Sequence, residues 1–125
     1  MIDLNKNNQP LDLSYLSEMS GDSPDFMLEM LDAFQQQTPI TMAELERAID
    51  AQDWKSAAEA AHKIKPTFYY MGRNDARDHM QEIERNTREL KELENVPAAF
   101  QEVKDFVVIL YQQLADAKTL LQERI

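Results

Sequence analysis

The stretch Ala60-Ala61-His62-Lys63-Ile64-Lys65-Pro66-Thr67-Phe68-Tyr69-Tyr70-Met71-Gly72 decides how this chain folds. Extended backwards to Trp54, its apolar residues Trp54, Ala57, Ala61, Ile64, Phe68 and Met71 recur in alternating steps of three and four. That spacing predicts a helix with one buried stripe. Asp53 is placed to cap its start and Gly72 to end it. Each helical residue advances about 100°, so His62 points roughly 130° away from the centre of the stripe. Lys55, Ala58, Lys65, Pro66 and Tyr69 point to the same side. His62 is therefore expected at the surface, with a small neighbour one turn before it and a cation three residues after it.

The segments on either side carry the same periodicity. Residues 1–10 are polar and end in Gln9-Pro10, which predicts an extended or mobile lead-in before a domain over 11–125. Asp12 can cap a short helix over 13–19 with Leu13, Leu16 and Met19 on its apolar side. Ser23-Pro24-Asp25 is a helix start, with cap, first-position proline and acid in order. Met27, Met30, Leu31 and Phe34 follow at helical spacing. The residue before Pro39 is disfavoured in the α region, so this helix is expected to end near Thr38 and a new one to run from Pro39 to Ala51. The helix after Gly72 is expected over 75–93, burying Ala76, Met80, Ile83, Leu90 and Thr87. The last, over 98–122, has Phe100, Val103, Val107, Leu110, Leu114, Ala117 and Leu121 in a seven-residue repeat. Phe106, Val108, Ile109 and Tyr111 widen its apolar face, which predicts burial of its middle from more than one side.

No segment alternates as a strand does, and the connections are short. The expected fold is all-α: an antiparallel up-down four-helix bundle with one or two additional N-terminal helices. At 125 residues the chain suits one core, and 43% hydrophobic and 29% charged residues are ordinary for a globular domain. With only two glycines, few positive-φ positions are expected.

The charge of −10 disfavours nucleic acid and anionic membrane surfaces as partners. No apolar run reaches the length of a membrane span, and the N-terminus lacks a signal pattern, which points to the cytoplasm. Without cysteine there is no disulfide, thiol nucleophile or thiolate metal site. Glu59-Ala60-Ala61-His62 has the Glu-x-x-His spacing of di-iron bundles. Those sites need a second copy and two more inward carboxylates, whereas Glu59 points away from the core. No metal site is expected. There is also no glycine-rich phosphate loop, so the chain is not expected to phosphorylate itself from ATP.

An exposed imidazole beside a cation suits phosphoryl transfer between proteins. Imidazole is nucleophilic near neutral pH, and phosphoryl transfer asks for positioning and positive charge rather than further covalent help. His79, at the edge of the buried side of its helix, is expected to pack or cap.

The sequence here resembles the histidine-containing phosphotransfer (HPt) domains of two-component phosphorelays. The likeness rests on Ala61-His62, Lys65 three on and Gly72 ten on. It extends to Leu13-Ser14-Tyr15-Leu16, Phe34 with Gln37-Thr38-Pro39, Asp53-Trp54 and Ile83-Glu84, and spans roughly residues 11–115. The resemblance implies that His62 is phosphorylated, that Lys65 stabilises the phosphoryl charge, and that Glu84 bonds the second ring nitrogen and orients the ring. It implies response-regulator receiver domains or a hybrid histidine kinase as partners, with Mg²⁺ held by the receiver and no cofactor on this chain. Lys55, Ala58, Glu59, Pro66 and Tyr69 would contact the partner, and a monomer is expected. The alternative is an interaction module that binds a receiver or kinase without transferring. Starting at Met1 favours a free-standing protein over a piece of a hybrid kinase. The chain departs from the family at Pro66, where glycine is common. Proline removes the backbone bond to the His62 carbonyl, so a kink just past His62 is expected.

Overall fold

The computed structural model describes residues 2–125. The chain forms α1 (Ser14–Met19), α2 (Pro24–Asp50), α3 (Trp54–Tyr70), α4 (Asn74–Glu89) and α5 (Val96–Gln122). Short 3₁₀ turns at Leu4–Asn8 and Leu93–Asn95 precede α1 and α5. Helix α2 packs on α3 and α5, and α4 packs on α3 and α5, which closes a ring of four antiparallel helices. The core they share includes Leu31, Leu45, Phe68, Met80, Val103 and Leu110. Phe68 and Phe106 meet edge to face at its centre, with ring centroids 5.5 Å apart.

Ser23 and Asp53 cap their helices as expected, whereas α1 begins at Ser14 with Leu13, not Asp12, at its cap position. Ser23 Oγ accepts from the Phe26 amide at 3.3 Å, and Asp53 Oδ1 accepts from the Ser56 amide at 3.3 Å. Gly72 closes α3 with φ +76°, and a side chain there would collide with the Asp12 carbonyl. Glycine is thus required twice, for a left-handed backbone and for the close approach of the segment before α1.

The structure departs from five other expectations about the fold. The break expected at Thr38–Pro39 is absent: α2 runs through Pro39 to Asp50. Leu31, Phe34, Thr38, Met42, Leu45 and Ile49 form one buried stripe across the proline. An interior proline costs about 3 kcal/mol, whereas each large apolar side chain buried along the stripe contributes about 1.5–3 kcal/mol. Pro39 and Gln35 are both exposed, so the Gln35 carbonyl left without a helical donor faces water.

Helix α4 stops at Glu89 rather than near residue 93. Leu90 is left-handed, with φ 56°, and its side chain is 63% exposed instead of buried. Three other non-glycine residues at turns, Asp22, Gln52 and Glu92, also have positive φ, so glycine scarcity understates how many such positions the fold uses. In α5 the seven-residue repeat is buried throughout and so is Phe106, but Val108 is 67% exposed and Ile109 lies at the surface. The middle of α5 therefore has a solvent face.

Residues 2–10, expected to be extended or mobile, instead hold a 3₁₀ turn packed on the bundle, with Ile2 buried. The anchor is Arg73, itself only 2% exposed. Its guanidinium donates to both Asp75 oxygens, to Gln113 Oε1, to Asn7 Oδ1 and to the Asp3 carbonyl. It also lies 4.6 Å from the Phe106 ring centroid. Gln113 Nε2 donates to the Lys6 and Gln9 carbonyls at 2.8 Å.

Candidate functional site around His62

Ala57, Ala61, Ile64, Phe68 and Met71 anchor α3 in the core, as its spacing predicts, while Trp54 is half-buried. Rotation about the helix axis then carries His62 to the surface, where its side chain is 65% exposed. Pro66 is exposed, and α3 continues unbroken through it to Tyr70. The fully buried Phe68 and Met71 beyond it hold that last turn in place. Because Pro66 has no N–H, the His62 carbonyl lacks the usual helical donor.

Helix α4 supplies the other half of the site. Its apolar residues Ala76, Met80 and Ile83 enter the core, which sets Glu84 at the seam with α3, 4% exposed. His62 Nδ1 lies 3.1 Å from Glu84 Oε2. A carboxylate only accepts, so this contact requires the hydrogen on Nδ1 and leaves the Nε2 lone pair facing outwards. Burial by itself would raise the Glu84 carboxyl. The ammonium of Lys65, with His62 and Arg88, outweighs it and holds Glu84 below the usual carboxylate range.

Lys65 is not the free surface cation that helical geometry suggested. Its side chain is 17% exposed, its Nζ lies 2.5 Å from Glu84 Oε1, and it donates to Gln81 Oε1. Arg88 was not anticipated: its Nη2 lies 3.0 Å from Glu84 Oε2. The signal available in the sequence is the Glu84–Arg88 pair at i,i+4, which is common on charged helices and so easily passed over.

The other residues expected at a partner face fall into two groups. Lys55, Ala58 and Glu59 line a 370 Å³ cleft between α3 and α4, together with Thr87, Arg88 and Leu90. Lys55 and Glu59 are exposed, but Ala58 is buried at 3%, forming the cleft floor rather than a surface contact. Tyr69 lies the other way along α3. Its ring meets Tyr15 of α1 with centroids 4.7 Å apart, and Arg77 lies 5.3 Å from its centroid. Tyr70 stacks between Tyr15 and Phe34. His79 packs, as expected: it is 6% exposed, and its Nε2 lies 2.8 Å from the Ala99 carbonyl at the start of α5.

Among the described residues, no three His, Asp or Glu side chains cluster as metal ligands would. No helix there is long and apolar enough to cross a membrane.

The fold has solved relatives. One is histidine-containing phosphotransfer protein B (HptB) from Pseudomonas aeruginosa PAO1, with a TM-score of 0.66 and 22% identity over 94% of this chain and 95% of that one. Another is the HPT domain of an Hpt sensor hybrid histidine kinase from Shewanella, with a TM-score of 0.64 and 18% identity over 90% of this chain and 91% of that one. At such identities they establish the bundle alone. No curated protein sequence matches the chain. The sequence profile of the Hpt domain matches residues 29–122, from within α2 to the end of α5. That match takes in most of the bundle and both halves of the His62 site, and by it the chain belongs to the Hpt domain family.

Proposed function

We propose that the chain is a phosphorelay intermediate whose His62 accepts a phosphoryl group from a receiver-domain phospho-aspartate and passes it to another receiver aspartate. Family membership gives the coarser statement: a phosphotransfer role in two-component systems, with receiver domains and histidine kinases as the interacting class. The observation that carries the finer one is the contact of Nδ1 with buried Glu84 beneath an otherwise open ring.

In the proposed step, the Nε2 lone pair attacks phosphorus. The bond from phosphorus to the aspartyl oxygen breaks, and the carboxylate leaves with its electron pair. Nδ1 keeps its hydrogen, held towards Glu84, so the ring need not turn between acceptance and donation. Lys65 and Glu84 position the ring and the charge around it. Mg²⁺ is assigned to the receiver, and Lys55, Glu59, Pro66 and Tyr69 to its docking face.

The test is incubation with a phosphorylated receiver, followed by detection of acid-labile label, on the wild type and on His62→Gln. Label on the wild type and none on the variant is expected. Label that survives the substitution would reject the site. Receiver binding without label would favour the non-transferring interaction module instead.

A further inference from the structure

Glu84 gathers three groups at once. Its Oε1 lies 2.5 Å from Lys65 Nζ, and its Oε2 lies 3.1 Å from His62 Nδ1 and 3.0 Å from Arg88 Nη2. The charge count around the ring follows. With Glu84 ionised and His62 neutral, Lys65 and Glu84 cancel. That pair alone presents no net charge to an arriving phosphoryl group, whose equatorial oxygens carry negative charge. Arg88 changes the sum to +1. Its only ionic partner among the described residues is Glu84, and its side chain is 56% exposed, so the guanidinium stands on the solvent side of the buried pair. It also lines the cleft with Ala58 and Glu59, the turn of α3 that precedes His62.

We infer that Arg88 is a positioning residue of the phosphoryl site: it holds Glu84 Oε2 beside His62 Nδ1 and supplies the positive charge that Glu84 cancels on Lys65. The inference rests on His62 as the phosphoryl acceptor. It differs from the family resemblance, which pointed to Lys65 as the cation.

A small phosphoryl donor tests this without any partner protein. With phosphoramidate, the His62 Nε2 lone pair attacks phosphorus, the P–N bond breaks, and the amine leaves as ammonia after taking a proton from solvent. Formation of phosphohistidine is followed by ³¹P NMR in the wild type, Arg88→Met, Arg88→Gln and Arg88→Lys, with helicity checked by circular dichroism. The two neutral variants are expected to react about two- to fivefold more slowly at low ionic strength, the range for a largely exposed charge. The difference should shrink in high salt, and Arg88→Lys should restore most of the rate. Neutral variants as fast as the wild type at low salt, or a slow rate that salt does not change, would overturn the inference. Receiver-driven labelling of the wild type is run alongside. Label from phosphoramidate but none from a receiver would reject the relay while leaving the role of Arg88 decided by its own rates.

Discussion

Replacing Glu84 by glutamine separates its charge from its shape. The amide keeps the volume and an oxygen that can accept from His62 Nδ1, but it no longer neutralises Lys65 or Arg88. The Arg88 side chain is more than half exposed, so losing that pair costs about 0–1 kcal/mol. Lys65 is the larger loss, because its ammonium sits 2.5 Å from the carboxylate with a side chain 17% exposed. Losing an ion pair costs about 0–1 kcal/mol at the surface and about 3–5 kcal/mol when buried, and this pair lies between the two, so Glu84→Gln is expected to cost about 2–3 kcal/mol at pH 7. Thermal and urea denaturation between pH 3 and 7 would measure it.

The sign of the pH dependence follows from the direction of the shift. The folded protein holds the Glu84 carboxyl below its ordinary value, so the unfolded chain binds a proton there first. The stabilisation is complete above the ordinary glutamate value of about 4.3 and is lost as pH falls through the lower folded value. The gap between wild type and Glu84→Gln should therefore be widest at neutral pH and close in acid. Equal stabilities at pH 7, or a gap that stays constant down to pH 3, would refute the electrostatic role given to Glu84.

Three further substitutions test the frame. Gly72→Ala places a side chain on a left-handed backbone and against the Asp12 carbonyl, and should cost at least about 2 kcal/mol in a denaturant titration. Arg73→Met leaves Asp75 without its counter-charge and Gln113 without its donor, with an expected loss of about 3–5 kcal/mol. Amide hydrogen exchange at residues 3–9 should accelerate with it, and unchanged protection there would show that Arg73 does not anchor the segment. Leu90→Gly removes left-handed strain from an exposed side chain and should stabilise the fold by about 1 kcal/mol, visible as a raised melting temperature.

Where one local rule faced no opposition, the sequence was sufficient. Ser23 and Asp53 accept from the amides three residues on, and the α5 repeat is buried at every position. The rotation that exposes His62 follows from the same periodicity. Pro39 shows the opposite case: a local breaker was outweighed by an apolar stripe that runs past it on both sides. The docking of residues 2–10 depends on Arg73, on Gln113 and on Glu102, whose Oε1 accepts from the Ile2 amide at 3.2 Å; these are distant along the chain and have no spacing that links them. Val108 and Ile109 have core composition, but among the described residues no helix packs over that side of α5, which leaves Val108 exposed and Ile109 beside the docked N-terminal segment.

In the His62 site, the same limit applied to charge. Helical geometry put Lys65 on the surface of α3, but only the packing of α4 brought Glu84 against it. Once Glu84 was buried at that seam, both cations had to turn towards it. The local arithmetic thus gave the right face for Lys65 and the wrong freedom.

The most direct measurement is the identity of the atom that carries phosphorus. Protein labelled by a phosphorylated receiver, with ¹⁵N in its histidine rings, shows phosphorus–nitrogen coupling at the bonded nitrogen. Coupling at Nε2 of His62, with a hydrogen on Nδ1, is the expected result. Phosphorus on Nδ1, or on His79, would contradict the arrangement in which Glu84 holds one face of the His62 ring and leaves the other to react.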